Sequence, residues 1–317
     1  MSAEFPVAGR YAAKMRPVAD QELVHLLALL IHRPKGTSYL EVVDRIVIAG
    51  SPRSAWQESV DGSLFMDFDA DLALDEIATD LAKWRAAGFD VTPFYDATYP
   101  AQLRDINEMP PVIWTKGALL AGDLGVSVVG TRRPTDAALA FVKDVVAGLV
   151  DQGRTVVSGL ASGVDACAHR SAIACGGRTV AVIGTGIDLS YPEENRLLQQ
   201  EISRSGLVLS QFWPGSAPTK KSFPMRNAVM SGYSRVSLIV EAGERSGTRI
   251  QARVAVAHGR PVILSGSVAR QTTWGAALTN RPGVAIATSA DSAVDLAVRL
   301  SRPKPEELKP YLALITA

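Results

Sequence analysis

The sequence has 317 residues, 47% apolar and 21% charged, with a mean hydropathy of +0.11, which excludes a disordered or fibrous chain and sets a length prior of about two domains. No run approaches the ~20 apolar residues of a membrane span, and the first twenty residues lack the apolar stretch of a secretion signal. Two cysteines, Cys167 and Cys175, are too few for a disulfide framework, so a cytoplasmic location is expected. The formal net charge of +1 hides an asymmetry. Residues 1–120 carry 11 Lys and Arg against 17 Asp and Glu, whereas 121–317 carry 22 against 15. A polyanion is therefore expected to bind the second part of the chain.

In chain order, residues 21–33 are apolar all round, as in a buried helix. Residues 39–49 give a second helical pattern, and 71–87 a third, entered through an acidic first turn and stopped at Gly88. These predict a helical domain over 1–88. The stretch 89–120 holds two short β-like runs, DVTPF and VIWT, broken by Pro100, Pro110 and Pro111, and reads as a connector. From 121 to 300 the pattern becomes strand, glycine turn, helix. GVSVVG, TVVSG, TVAVIG, LVLSQF, SLIVEAG and PVILSG are the strands, and helices of ten or more residues separate most of them. Near-continuous Val, Ile and Leu runs point to strands covered on both faces. The predicted fold class is α/β: a Rossmann-like doubly wound parallel sheet preceded by a small helical domain. Residues 301–317 are Pro-interrupted, too short to fold alone, and read as a tail.

Ligands of such sheets bind beyond the carboxyl ends of the strands. Here those ends carry glycine turns at Gly130, Gly159, Gly163, Gly184 and Gly186, and a Ser246-Gly247-Thr248 turn opens a helix. Glycines let a ligand approach the backbone, and helix N-termini favour anions, so a phosphate-bearing ligand is expected. GTRRPTDAA lacks the glycine spacing of a dinucleotide site, and no P-loop motif occurs, so neither a nicotinamide dehydrogenase nor a P-loop nucleotidase is indicated.

The segments VVGTRR, VVSGLASGVDACAHRSAI, AVIGTGIDLSYPEEN, LSQFWPG, FPMRN and VEAGERSGTRIQA occur in an order and spacing that resemble the DNA-processing protein DprA (Smf) family. The lead-in YPAQLRDINEMPPVIWTKG and the helical front end resemble that family as well, so the likeness covers about 20–300. The resemblance implies a protein that binds single-stranded DNA, hands it to the recombinase RecA during natural transformation and recombination, dimerises through its Rossmann-like domain and catalyses no covalent reaction. No ligand cluster in the sequence implies a metal or an organic cofactor, so none is expected.

In that setting Arg132 and Arg133 follow a strand end and are expected to grip phosphates. Arg226 and Asn227, with Lys220 and Lys221 just before them, are expected to form a second phosphate clamp. Phe212 or Phe223 would offer a face for a base, the competing reading for each being core packing. The competing reading for Arg132 is a salt bridge across its turn. If these arginines only touch ligand, replacing Arg132 or Arg226 by alanine would weaken oligonucleotide binding and leave the thermal midpoint unchanged. Asn195 is expected to fix its local turn. His169 is expected to pair with Asp165 four residues earlier on one helix, and Cys167 and Cys175 to pack against the sheet.

Three positions depart from the family pattern: Ser162, Glu193 and Ala228 stand where basic residues are common. Each lost phosphate contact lowers affinity and flattens its salt dependence. A second reading follows from these departures. Arg226-Asn227-Ala228-Val229-Met230 and the 243–248 turn partly resemble lysine-decarboxylase-like ("LOG") nucleotide phosphoribohydrolases. There Arg226 and the Gly247/Thr248 backbone would hold a nucleoside monophosphate, and Glu241 or Glu244 would act as acid/base. A third reading is an interaction protein with a degenerate site.

Overall fold

The computed structural model describes residues 20–62 and 69–302. The expected tail lies outside these residues from 303 onward, as do the first 19 residues of the expected helical domain. Among the described residues the front end holds four helices: α1 (Asp20–Ile31), α2 (Tyr39–Ala49), α3 (Pro52–Asp61) and α4 (Ala70–Ala86). In α1, Leu23, Val24, Leu26, Leu27, Leu29 and Leu30 are all buried, which is why its sequence shows no polar stripe. Ser38 and Glu41 form a reciprocal capping box at the start of α2, and Gly50 ends it in the left-handed region. Helix α3 had no counterpart in the periodicity. Its signal is the Ser51 cap followed by Pro52 in the first turn.

The stretch 89–120 is more than a connector. It contributes β1 (Asp90–Pro93) and β2 (Val112–Gly117), an antiparallel pair, and β2 runs antiparallel to β6 (Leu207–Ser210). Trp114 of β2 packs edge-on against Trp84 of α4 at 6.3 Å and against Trp213 at 4.9 Å, so the helices and the sheet share one apolar core.

The sheet has nine strands in the order β1-β2-β6-β5-β4-β3-β7-β8-β9. These include β3 (Gly125–Val129), β4 (Thr155–Ser158), β5 (Thr179–Val182), β7 (Val236–Ile239), β8 (Val262–Ser265) and β9 (Val284–Ala287). From β6 through β9 every pairing is parallel, so the fold is the expected Rossmann-like one with two antiparallel strands added at one edge. Strands β3 to β8 are buried throughout. Each fully buried Val, Leu or Ile there contributes about 1.5–3 kcal/mol. Helices α5 (Asp136–Asp151), α6 (Val164–Ala174) and α12 (Ala290–Leu300) cover one face through Val142, Val146, Ala168, Ala172, Ala293 and Ala297. Helices α8 (Ser222–Tyr233) and α9 (Thr248–Ala257) cover the other through Val229, Tyr233, Ala252 and Ala255; α7 spans Arg196–Ser205, α10 Gly266–Gln271 and α11 Thr273–Leu278. Among the described residues no helix is long and apolar enough to cross a membrane.

After β3 the chain winds through β4, β5 and β6 to one side, and after β7 through β8 and β9 to the other. The chain therefore winds away from β3 and β7 to opposite sides, and a crevice opens at this switch point, at the carboxyl ends of the strands.

Candidate nucleic-acid interface

The loop after β3 is held at both ends. Thr131 N donates to Glu241 O at 2.8 Å, and the Glu241 carboxylate accepts from Thr135 N and Thr135 Oγ1 at 2.9 and 3.1 Å. Between these ties Arg132 and Arg133 project into solvent, and among the described residues Arg132 has no carboxylate partner. The expected alternative for Arg132, a salt bridge across the turn, is not what the structure has.

The loop after β4 packs against the first. Gly163 has φ +79°, and a Cβ there would stand 2.5 Å from Thr131 O, so only glycine allows the two loops to touch. Leu160 also takes a positive φ, 58°. Buried Asp165 Oδ2 accepts from Gly159 N and Ala161 N at 3.2 and 3.4 Å, and Asn195 Nδ2 donates to Leu160 O at 3.0 Å. Asn195 thus holds the β4 loop as well as its own turn. His169 does not pair with Asp165. Its Nδ1–H donates to Thr179 Oγ1 at 2.7 Å, because that hydroxyl is itself spent on Val156 O. Burial, with the Arg226 and Arg170 charges nearby, pushes the imidazole pKa down to about 3. Cys167 is half-buried beside the core, whereas Cys175 caps the end of α6 and is exposed, against expectation.

Arg226 corrects a second expectation. It is 6% exposed, and its Nη1 donates to Gly159 O and, at 2.9 Å, to Val182 O, while Nε donates to Asn227 Oδ1 at 3.1 Å. A Cβ on Gly159 would collide with the guanidinium, so that glycine makes room for Arg226. The buried Asp165 carboxyl, raised in pKa by desolvation and lowered in part by Arg226, completes the cluster. An arginine tying β4 to β5 in this way cannot be removed without cost to folding.

Two cavities share Arg132, Ala161, Phe223 and Arg226 in their walls. The smaller, of ≈ 140 Å³, is closed by Gly159, Ser162, Gly184, Tyr191 and Pro192. The larger groove, of ≈ 560 Å³, follows the β3/β7 crevice past Gly130, Arg133, Asn227, Arg245 and the Ser246-Gly247-Thr248 turn. At their common edge the Arg132 guanidinium lies 5.7 Å over the Phe223 ring, which also meets Tyr191 at 5.6 Å. Gly184 seats Phe223, since a Cβ there would come within 3.1 Å of the ring.

Other expected residues lie elsewhere. Phe212 is half-buried in a bridge with Gly186, and neither lines either of these two cavities. Lys220 and Lys221 are exposed at the start of α8 without lining either. Gly163 serves the loop contact. The carboxylates proposed as acid/base are occupied: Glu241 as above, and Glu244 by Thr273 N at 3.0 Å and Thr273 Oγ1. Neither lines the groove, so the LOG-like reading loses its acid/base group. Three lining residues escaped the sequence reading. Tyr191 and Arg245 lie inside the family-like motifs, and nothing in their spacing marks them as lining. Gln251, buried on the groove floor with neither amide atom partnered, had no sequence signal at all.

The sequence profile of the family described as DNA recombination-mediator protein A matches residues 90–297. The chain is 44% identical to Protein Smf of Synechocystis over 173 residues, covering 53% of this chain and 44% of that protein. It is 41% identical to DNA processing protein DprA of Streptococcus pneumoniae over 175 residues, covering 55% and 62% respectively. The chain thus spans about half the length of these relatives. The crystal structure of S. pneumoniae DprA superposes with a TM-score of 0.64 at 29% identity, covering 91% of this chain and 95% of that one. DNA processing protein A of Helicobacter pylori, whose structure was reported for its single-stranded DNA binding mode, superposes with a TM-score of 0.59 at 25% identity, covering 67% and 96%. The profile match covers the whole Rossmann-like sheet and both loops of the crevice, and on that basis the chain belongs to the DNA recombination-mediator protein A family.

Proposed function

We propose that this chain binds single-stranded DNA along the β3/β7 crevice and delivers it to a RecA-type recombinase, acting as a cytoplasmic homodimer without covalent catalysis. The observation that carries this reading is the Arg132–Phe223 pair at 5.7 Å on the shared edge of the two cavities. A fixed cation beside an aromatic face is what a single strand needs, phosphate on one side and an unstacked base on the other. Arg133, Arg245 and the Ser246-Gly247-Thr248 turn extend the cationic and polar wall along the groove. Membership of a recombination-mediator family supports the same reading.

Fluorescence anisotropy with a labelled single-stranded oligonucleotide of ~35 bases, beside its duplex, at 50 and 200 mM salt tests it. A preference for the single strand is expected, with log affinity falling by ~0.7 per phosphate contacted for each tenfold rise in salt. No binding at 50 mM would end the DNA-binding reading. Delivery is tested by whether the protein speeds the DNA-dependent ATPase of a RecA-type recombinase on the same strand. Sedimentation of the full chain reads the dimer.

A further inference from the structure

The Gln251 side chain lines the larger groove and is 1% exposed, and among the described residues neither its amide oxygen nor its amide nitrogen has a hydrogen-bond partner. Neither atom reaches solvent, so the free protein bears the cost of dehydrating a carboxamide and gains no bond in return. Gln251 stands one helical turn beyond Gly247 on α9. A helical side chain leans towards the preceding turn, which sets Gln251 beneath the 243–248 loop.

Two glycines of that loop point the same way. Gly247 has φ −59°, a conformation any residue adopts, and Gly243 also lies outside the left-handed region. A Cβ on either would meet no atom within 4 Å. Neither backbone conformation nor packing in the free protein calls for glycine here. Both residues line the groove, so the space they leave lets a ligand approach the backbone. Arg245, exposed between them, supplies a cation beside that space.

A strand laid along the groove thus meets a cation and open backbone at the turn, and a neutral carboxamide below. A carboxamide offers an acceptor and two donors and bears no charge. Its complement on a nucleic acid is an edge that sets a donor beside an acceptor. Every base has one on its Watson–Crick face: N6 beside N1 in adenine, N4 beside N3 in cytosine, N1 beside O6 in guanine and N3 beside O4 in thymine. No hydrogen bond restrains the Gln251 side-chain torsions, and a change of rotamer brings the carboxamide onto such an edge. Those edges are free in a single strand and spent on the partner strand in a duplex.

We infer that Gln251 is a base-contacting residue of the larger groove, which takes the unpaired Watson–Crick edge of a nucleotide whose phosphate lies against the Gly243–Thr248 turn. The contact is open to all four bases, so it favours a single strand over duplex without selecting a sequence. This rests on the single-stranded DNA reading above.

Anisotropy at low salt measures the affinity of the wild-type protein and of Gln251→Met for oligo-dT, oligo-dA and an abasic strand of equal length. Methionine keeps the length of the side chain and removes both hydrogen-bonding atoms. Gln251→Met is expected to weaken oligo-dT and oligo-dA alike by about 5-fold, to leave the abasic strand unchanged, and to keep or raise the thermal midpoint. Gly247→Ala is expected to weaken all three strands several-fold, because its methyl group stands where the strand backbone would lie. Unchanged affinity for oligo-dT and oligo-dA in Gln251→Met overturns the inference, and so does an equal loss on the abasic strand, which would put the contact on the backbone. A lowered midpoint in Gln251→Met also overturns it, since the residue would then be structural. A loss confined to one homopolymer overturns the base-independent contact, and Gly247→Ala binding as wild type removes the phosphate from the turn. Failure of the wild-type protein to bind any strand removes the DNA reading itself, an outcome distinct from a variant that binds as well as wild type.

Discussion

At the amino end of the strands, Asp123 accepts from Thr155 Oγ1, from Arg178 Nε at 3.0 Å and from Tyr233 OH at 2.8 Å, and Arg178 also donates to Ala118 O at 2.6 Å. At the carboxyl end, Arg226 donates to Gly159 O and Val182 O while Asp165 beside it accepts two backbone N–H groups. Both clusters set a buried aspartate beside an arginine, half-buried at Arg178 and buried at Arg226, and both staple neighbouring strands. They differ in what lies next to them. The Asp123 cluster lines neither of the two cavities, whereas Arg226 forms part of the wall of both. The same chemistry thus closes one end of the sheet and furnishes the other with a rigid floor beside which exposed cations such as Arg132 can act. Precision at a binding site on loops comes from such buried ties beneath them.

The comparison breaks first at Arg226. Arg226→Met is expected to destabilise the fold by about 3–5 kcal/mol, since it leaves Asp165 buried without its counter-charge and two carbonyls without a donor. Urea denaturation measures this, and a stability within about 1 kcal/mol of wild type would show that the floor is not structural. Asp123→Asn at the other end is expected to cost about 2–3 kcal/mol. Oligonucleotide affinity of the folded protein should be retained, because the cluster lies at the far end of the strands.

His169 separates the two ends by pH. Its folded pKa of about 3 lies below the unfolded value of ~6.5, so the fold favours the neutral ring. The stability it contributes is complete above pH ~6.5 and is lost as pH falls towards 3, at about 1.4 kcal/mol per pH unit. Asp165, raised in pKa, acts with the opposite sign at the acid end, so the comparison is made with His169→Gln, which should flatten the acid limb of the stability profile by about one proton. An unchanged limb would show that the imidazole is protonated in place. The smallest effect on folding is expected at Arg132→Ala: no measurable shift in thermal midpoint, a weaker single-strand affinity, and a salt slope reduced by ~0.7. A lowered midpoint would mean that Arg132 belongs with Arg226 among the structural arginines.

Much of the sheet was legible because a strand buried on both faces is written as an uninterrupted Val, Ile and Leu run, as in β3 to β8. Strands β1 and β2 were seen only as β-like fragments. Their prolines break the run, and their place depends on pairing with β6, more than ninety residues away. At the site, Arg132, Arg133, Phe223 and the 246–248 turn were readable, since each follows directly on a strand end or opens a helix. Arg226 was readable as a conspicuous cation but its role was not. Burial is a property of what surrounds a residue, and its neighbours Gly159 and Val182 come from 67 and 44 positions earlier. Phe212 and Phe223 look alike in sequence, and only the packing put one on the cavity wall and the other in a bridge with Gly186.

The sequence by itself determined the alternation of strands and helices, the glycine turns at the strand ends and the basic character of the second part, because each is set by local periodicity and composition. The tertiary structure alone decided which arginine is ligand-facing and which is structural, that Ser162 meets Glu194, and that Gln251 lies unpartnered on the groove floor. Those outcomes depend on solvent exclusion and on contacts between distant segments, and neither is encoded in the spacing of residues along a single element.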